Sequence, residues 1–214
     1  MQIGRELGRL DEAHPLVLGS ASPRRREILA SLGIPHVVFA AAINEDVVVG
    51  ETADAYLARV VRAKLTAARS ALPADLRARA SAILVADTSV IASDGPEGEA
   101  ILGKPASSHE AVRMIVRLAG ATHEVHTRFA VASVRDETFL HEETVRTKVT
   151  FRAITKARAV AYVDTGEGLD KAGGYAVQGA ASKFIPRIEG CYCNVVGLPI
   201  ALVYRHYLEL GGGA

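Results

Sequence analysis

The chain has 214 residues, 49% of them hydrophobic, and its 25 basic and 24 acidic side chains leave a formal net charge of +1. That length and apolar share can fill one substantial core. Near-neutral charge gives no global field to hold a nucleic acid or an anionic membrane, so any anion site must be local. The first stretch, Met1 to His14, carries Arg5, Glu6, Arg9, Asp11 and Glu12 without an apolar run. It reads as a short N-terminal extension (residues 1–15) with no secretory signal, and the expected location is cytoplasmic. Leu16-Val17-Leu18 then predicts a buried strand leading through Gly19-Ser20 into a helix, with Ser22 at the N-cap, Pro23 at the first helical position and Gly33-Ile34-Pro35 as its end. Val37 to Ala41 predicts a second strand. The apolar run that begins there, Val37 to Ile43, is far short of the roughly 20 residues that cross a bilayer, and no longer one occurs. Thr52 can cap a helix bearing Leu57, Val61, Leu65 and Ala68 at helical spacing.

Ala82 to Ala86 predicts a buried strand that Asp87-Thr88 interrupts and Val90-Ile91-Ala92 resumes. Ser93-Asp94-Gly95-Pro96 predicts a turn, and Ser107 with Glu110 a capping box for a helix through Ala111, Met114, Ile115 and Leu118. Two alternating segments, Val125 to Val131 and Val145 to Phe151, predict an antiparallel pair with one wet face, joined across Arg135-Asp136-Glu137. Thr155 can cap a further helix through Val160 and Val163, and a last helix is expected from about Pro199 to Leu208. Between them lies a glycine-rich loop, Gly166 to Tyr175, followed by Ala176-Val177-Gln178. Cys191 and Cys193, the two cysteines of the chain, would face opposite ways if extended, which is poor disulfide geometry; two free buried thiols are expected. The order of elements suggests a single domain of mixed α/β class over residues 1–214, a mixed sheet wrapped by helices rather than a strictly alternating doubly wound fold.

Chemistry concentrates in a few places. Ser20-Ala21-Ser22-Pro23-Arg24-Arg25 sets two hydroxyls, a helix N-terminus and two guanidinium groups just after a strand. Cations in a first helical turn oppose the dipole, so their presence calls for an anion such as phosphate. Asp87 closes an apolar run, where a carboxylate is costly unless a cation meets it or it carries a metal or a proton. Glu45, in the loop after the second strand, could be its companion. Gly98 to Pro105 nearly spells a phosphate-binding P-loop, but Pro105 stands where a hydroxyl and an N–H are needed, leaving Lys104 as a point charge at a sheet edge. His123-Glu124-Val125-His126 is one residue short of a zinc helix motif and lies on a predicted strand. Gln178 offers donor and acceptor on one amide, matching the N3–H and O4 edge of uracil or thymine. Stacking of nucleic-acid bases is disfavoured by dispersed basic residues and only 11 aromatics, six Tyr and five Phe.

Taken in order, Ser20-Ala-Ser-Pro-Arg-Arg25, Glu45, Lys64, Ala86-Asp87-Thr88, Gly103-Lys104-Pro105, Asp170-Lys-Ala-Gly-Gly-Tyr175 with Gln178-Gly179, and Asn194-Val-Val-Gly-Leu-Pro199 resemble the Maf family from about Leu16 to Leu208. The resemblance implies an elongated twisted mixed sheet flanked by helices, with two lobes around a cleft. It also implies a homodimeric hydrolase that cuts a nucleoside triphosphate to monophosphate and pyrophosphate with a divalent cation, Mg2+ or Mn2+. It assigns Asp87 as general base and, with Glu45, as candidate metal carboxylate. Ser20, Arg25, Lys64 and Lys104 become triphosphate ligands, and Arg24, Thr88 and Gln178 select the base in the manner of the dTTP/UTP branch. Two other outcomes within the resemblance are a purine-directed enzyme acting on 7-methyl-GTP and a nucleotide-binding regulator of septum formation. Ser89 and the long turn from Ser93 to Ala100 depart from the family pattern.

Overall fold

The computed structural model describes residues 10–95, 98–134 and 140–209. In chain order the elements are β1 (Leu16–Leu18), α1 (Pro23–Ser31), β2 (His36–Val38), α2 (Ala53–Ala71), α3 (Ala74–Arg79), β3 (Ala82–Gly95), β4 (Gly98–Leu102), α4 (Ser108–Leu118), β5 (Thr122–Ser133), β6 (Leu140–Thr150), α5 (Lys156–Val163), β7 (Arg187–Glu189), α6 (Tyr192–Val196) and α7 (Ile200–Glu209). Short 3₁₀ turns lie at Ala172–Gly174 and Ala180–Phe184. Among the described residues the strands form one sheet in the order β2-β1-β3-β5-β6-β7, with β4 paired to the far part of β3. β2, β1 and β3 run parallel; β4, β5, β6 and β7 join antiparallel. This is the mixed, helix-flanked sheet that the sequence suggests.

The sheet is the middle layer of three. Strand alternation sends Leu16, Leu18, Leu84 and Ala86 to one face, against Ile115 and Leu118 of α4, Tyr162 of α5 and Val203 of α7. It sends Val17, Ile83 and Val85 to the other, against Val61, Leu65 and Ala68 of α2 and Leu76 of α3. Burial of both faces explains why β1 and the first half of β3 read as unbroken apolar runs. Each aliphatic side chain fully buried this way contributes about 1.5–3 kcal/mol. The predicted caps form at Thr52, Ser107 and Thr155, whose hydroxyls accept from Ala55, Glu110 and Arg158 N–H. The Glu110 carboxylate reaches the Ala106 N–H instead of closing the box on Ser107.

Several expectations are corrected. β3 runs unbroken through Asp87 and Thr88, because both stay in register with Arg128 and Thr127 of β5. Ser93, Asp94 and Gly95 are not a turn but continue that strand, which pairs with β4 as far as Gly95 opposite Gly98; Pro96 lies outside the described residues. The second strand ends at Val38, short of Ala41. β6 has the expected wet face, but β5 does not: Ala130 and Ala132 are covered by α2 and α3, and Arg135 to Glu137 lie outside the described residues. Cys191 caps α6 and Cys193 lies within it, so the segment is helical; both thiols are free but only half-buried. Of the N-terminal extension, residues 1–9 lie outside the described residues, while Leu10 is buried in the core.

Candidate active site

The ends of β1 and α1, the middle of β3, the loop before α2, the turn after β4 and the glycine-rich loop converge on a cavity of about 860 Å³, of the size that holds a small-molecule ligand. Ser20, Arg24, Arg25, Glu45, Lys64, Asp87, Thr88, Lys104 and Gln178 all line it. Every site residue expected from the sequence is therefore brought to one place.

Strand alternation decides what Asp87 and Thr88 meet. Asp87 points to the α2 face with Ile83 and Val85, is 7% exposed, and accepts from Lys64 Nζ at 2.7 Å. The same ammonium lies 3.1 Å from a carboxylate oxygen of Glu45. Lys64 thus bridges the two carboxylates, and with three donors it retains capacity for a further acceptor. Its partners are not shared with Arg128, the residue opposite Asp87 on β5, because Arg128 donates to Glu142 and Thr144. Glu45 is exposed, yet its loop is tied to α2: the Tyr56 hydroxyl donates to the Glu45 carbonyl, and Arg59 donates to both oxygens of Glu51 and to the Asp46 carbonyl. Burial, helped by the Asp87 and Glu45 charges, pushes the Tyr56 phenol well above its ordinary range and keeps it a donor.

Thr88 faces the other layer and meets Arg25, which is 7% exposed. Arg25 donates from Nε to the Gly197 carbonyl (2.8 Å), from one terminal nitrogen to Ser20 Oγ (2.9 Å) and from the other to Thr88 Oγ1 (3.1 Å). Thr88 Oγ1 also pairs with Thr127 Oγ1 at 2.9 Å, and Thr127 donates to the Asn194 carbonyl. Asn194, fully buried, donates its amide to the Val125 carbonyl and Thr147 Oγ1. Burial draws the Arg25 guanidinium below its ordinary value, and the Asp87 carboxylate opposes that. Gly197 has φ +127°, a conformation that favours glycine, and with it the α6–α7 turn presents its carbonyl to Arg25.

The Ser22 hydroxyl does not cap α1, against expectation, and the first turn of α1 holds no acidic residue. Its dipole and N–H groups thus face the cavity beside two arginines, an arrangement suited to an anion. Arg24 is half-buried. Nearby, burial works to raise the Asp170 carboxyl, but the hydrogen bond and charge of Lys171 outweigh it and hold that carboxylate below its ordinary range, with a small further contribution from the Arg24 charge. Lys104 and Gln178 are exposed at the rim. The loop bearing Lys104 is held where Gly173 donates to the Gly103 carbonyl. β4 leads into it as a strand, not as a P-loop entering a helix. His123 and His126 face opposite sides of β5 and bind Tyr175 and Glu124 separately.

A sequence profile described as Maf-like protein matches residues 15–210. The chain belongs to the Maf family. Among its Maf relatives, a dTTP/UTP pyrophosphatase of Myxococcus xanthus is 44% identical over 91% of this chain and 94% of its own. Those of Desulforamulus reducens and Geobacter metallireducens are 42% and 40% identical, over 87% and 94% of this chain and 92% and 99% of theirs. Sequence reasoning missed Thr127 and Tyr56, and gave Asn194 and Gly197 no role of their own within the Maf pattern. Thr127 could have been found as the residue opposite Thr88 once β3 and β5 were paired; a backbone carbonyl such as that of Gly197 leaves no side-chain signal.

Proposed function

We propose that this chain is a cytoplasmic nucleoside triphosphate pyrophosphatase that converts dTTP and UTP, and modified pyrimidine relatives, to the monophosphate and pyrophosphate before they enter nucleic acid. The observation that carries the reading is the pair of carboxylates on Lys64, set in the same cavity as the Ser20–Arg25 turn. Cations alone would bind a triphosphate; a carboxylate beside them gives a place for the proton of water. That relatives at 40–44% identity are dTTP/UTP pyrophosphatases agrees with this reaction.

In this mechanism Ser20, Arg25, Lys104 and the first turn of α1 bind the phosphate oxygens and Lys64 adds its remaining donor. Water attacks the α-phosphorus, the bond from that phosphorus to the bridging oxygen breaks, and pyrophosphate leaves. Asp87 takes the water proton, and the arginines and lysines stabilise charge as it develops. Asp87 and Glu45 together present hard oxygen donors next to the phosphate cations, a set that suits Mg2+ or Mn2+. When bound there, such an ion supplies further charge neutralisation to the phosphoryl oxygens. Arg24 and Gln178 face the base end. Thr88, whose hydroxyl is shared between Arg25 and Thr127, acts on base choice through the placement of Arg25. The working unit is taken to be a homodimer.

Incubation of dTTP, UTP, CTP and 7-methyl-GTP with Mg2+ should release monophosphate and pyrophosphate fastest from dTTP and UTP. Asp87→Asn should keep nucleotide binding and lose about 10²–10⁴-fold in turnover. Preferred release from 7-methyl-GTP would overturn the pyrimidine assignment. Tight binding without hydrolysis by the unaltered protein would overturn the enzymatic one and favour a regulatory role, and a near-normal Asp87→Asn rate would remove Asp87 as base.

A further inference from the structure

A second cluster of ionisable groups lies away from the cavity, where β6 meets the C-terminal helix α7. His206 and Glu209 are three apart on α7 and share a helix face; His141 comes from β6. The two imidazoles stack with centroids 4.1 Å apart. One oxygen of Glu209 lies 2.9 Å from His206 Nδ1 and 3.3 Å from His141 Nε2. Two ring nitrogens and a carboxylate thus converge from two elements, each offering an atom within 4.8 Å of the others.

From this convergence we propose that His141, His206 and Glu209 form a site for a divalent transition-metal ion of borderline softness, Zn2+ or its Co2+ surrogate, that staples α7 to β6. Two imidazoles and a carboxylate are a donor set that such ions favour and that Mg2+ does not. A zinc tetrahedron with bonds of about 2 Å sets its ligand atoms about 3.3 Å apart, so a modest contraction closes the cluster, and the exposed Glu209 side chain has the freedom to supply it. The protonation states suit a ligand role. Burial, and then the neighbouring His206, draw His141 below the ordinary histidine value, and a neutral imidazole is the form that binds metal. The hydrogen bond from His206 holds Glu209 below the ordinary carboxylate range, so it is anionic. Among the described residues, Arg205 and Glu143 also lie in reach of His141, and they pair with each other at 3.7 Å. His206 is buried against Phe129, whereas His141 and Glu209 keep 39% and 46% of their side chains exposed, leaving an entry path and room for a water as fourth ligand.

The test is a Co2+ titration of the full chain in excess Mg2+, which occupies all-oxygen sites such as Asp87 and Glu45 but leaves an imidazole site free. Visible d–d absorption should saturate at one Co2+ per chain and be displaced by Zn2+. His141→Asn and Glu209→Gln, which spare the packed His206, should each weaken Co2+ binding at least about tenfold, with Mg2+-supported nucleotide hydrolysis unchanged. An unaltered chain that takes up no Co2+ under these conditions, or variants that bind it as tightly as the parent, would overturn the proposal.

Discussion

Arg25 spends its guanidinium on Gly197, Ser20 and Thr88 within a site argued to receive triphosphate, and the two uses are compatible. Three of its five N–H donors have protein partners, which leaves others for a phosphate oxygen. The fork fixes where the charge sits; a lysine would carry the charge without the geometry. Arg25→Lys should therefore cost about 2–4 kcal/mol of stability, through a buried charge with fewer partners, and lower kcat/KM for dTTP by more than tenfold, roughly the cost of a lost phosphate fork. Urea denaturation and steady-state kinetics measure the two effects separately, and a Lys variant with reduced stability but full kcat/KM would make Arg25 a tether only. At this scale the sequence was legible wherever a charge sat in an unexpected context. Asp87 ending an apolar run and arginines in a first helical turn both signal a partner. Thr127 gave no such signal, because a threonine in an alternating strand is ordinary until the register places it opposite Thr88.

At the level of elements, Gly173 ties the glycine-rich loop to two other walls of the site. Gly173 has φ +70°, and a Cβ there would meet Val90 Cγ2 at 2.8 Å on β3, while its N–H donates to the Gly103 carbonyl beside Lys104. The loop, β3 and the Lys104 turn are joined at a point that only glycine fits. Gly173→Ala should lose about 1–2 kcal/mol for the left-handed backbone alone, with the Val90 overlap adding to it. KM for dTTP should rise more than kcat falls, because Lys104 loses its anchor while Asp87 and Lys64 keep theirs; an unchanged KM would refute that link. Helices of eight residues or more were readable from periodicity and caps, as α2 and α4 show. α3, α6 and β7 were not, since elements of six, five and three residues are too short to display a period, and β7 (Arg187-Ile188-Glu189) lacks the apolar run that marks the equally short β1. β3 was read as two pieces because a carboxylate in mid-strand looks like an end until Lys64 is seen to meet it from the next layer.

For the molecule as a whole, the buried His123 links folding to pH. Burial lowers it from the ordinary 6.5 to about 4, and it packs edge-on to Phe151 and Tyr175 with Nε2 at 2.8 Å from the Tyr175 hydroxyl. The unfolded chain binds a proton there below about pH 6.5 and the folded chain does not until about pH 4. The contribution is therefore intact above pH 6.5 and is lost as pH falls to about 4, on the order of 3 kcal/mol in all. His123→Gln should lose markedly less stability than the parent between pH 7 and pH 4.5 in matched urea titrations; equal losses would place the acid sensitivity elsewhere. The long-range geometry has a bearing on how the protein is made. Arg25 and Gly197 are 172 positions apart, so a ribosome delivers the guanidinium long before the carbonyl that receives its Nε. Until the last turn emerges, a nascent chain can pair β1 with β3 and set Lys64 on Asp87, yet Arg25 still lacks that partner. Catalytic competence should therefore appear late in synthesis, when nearly the whole chain has been made, and a C-terminally curtailed product would be inert rather than partly active.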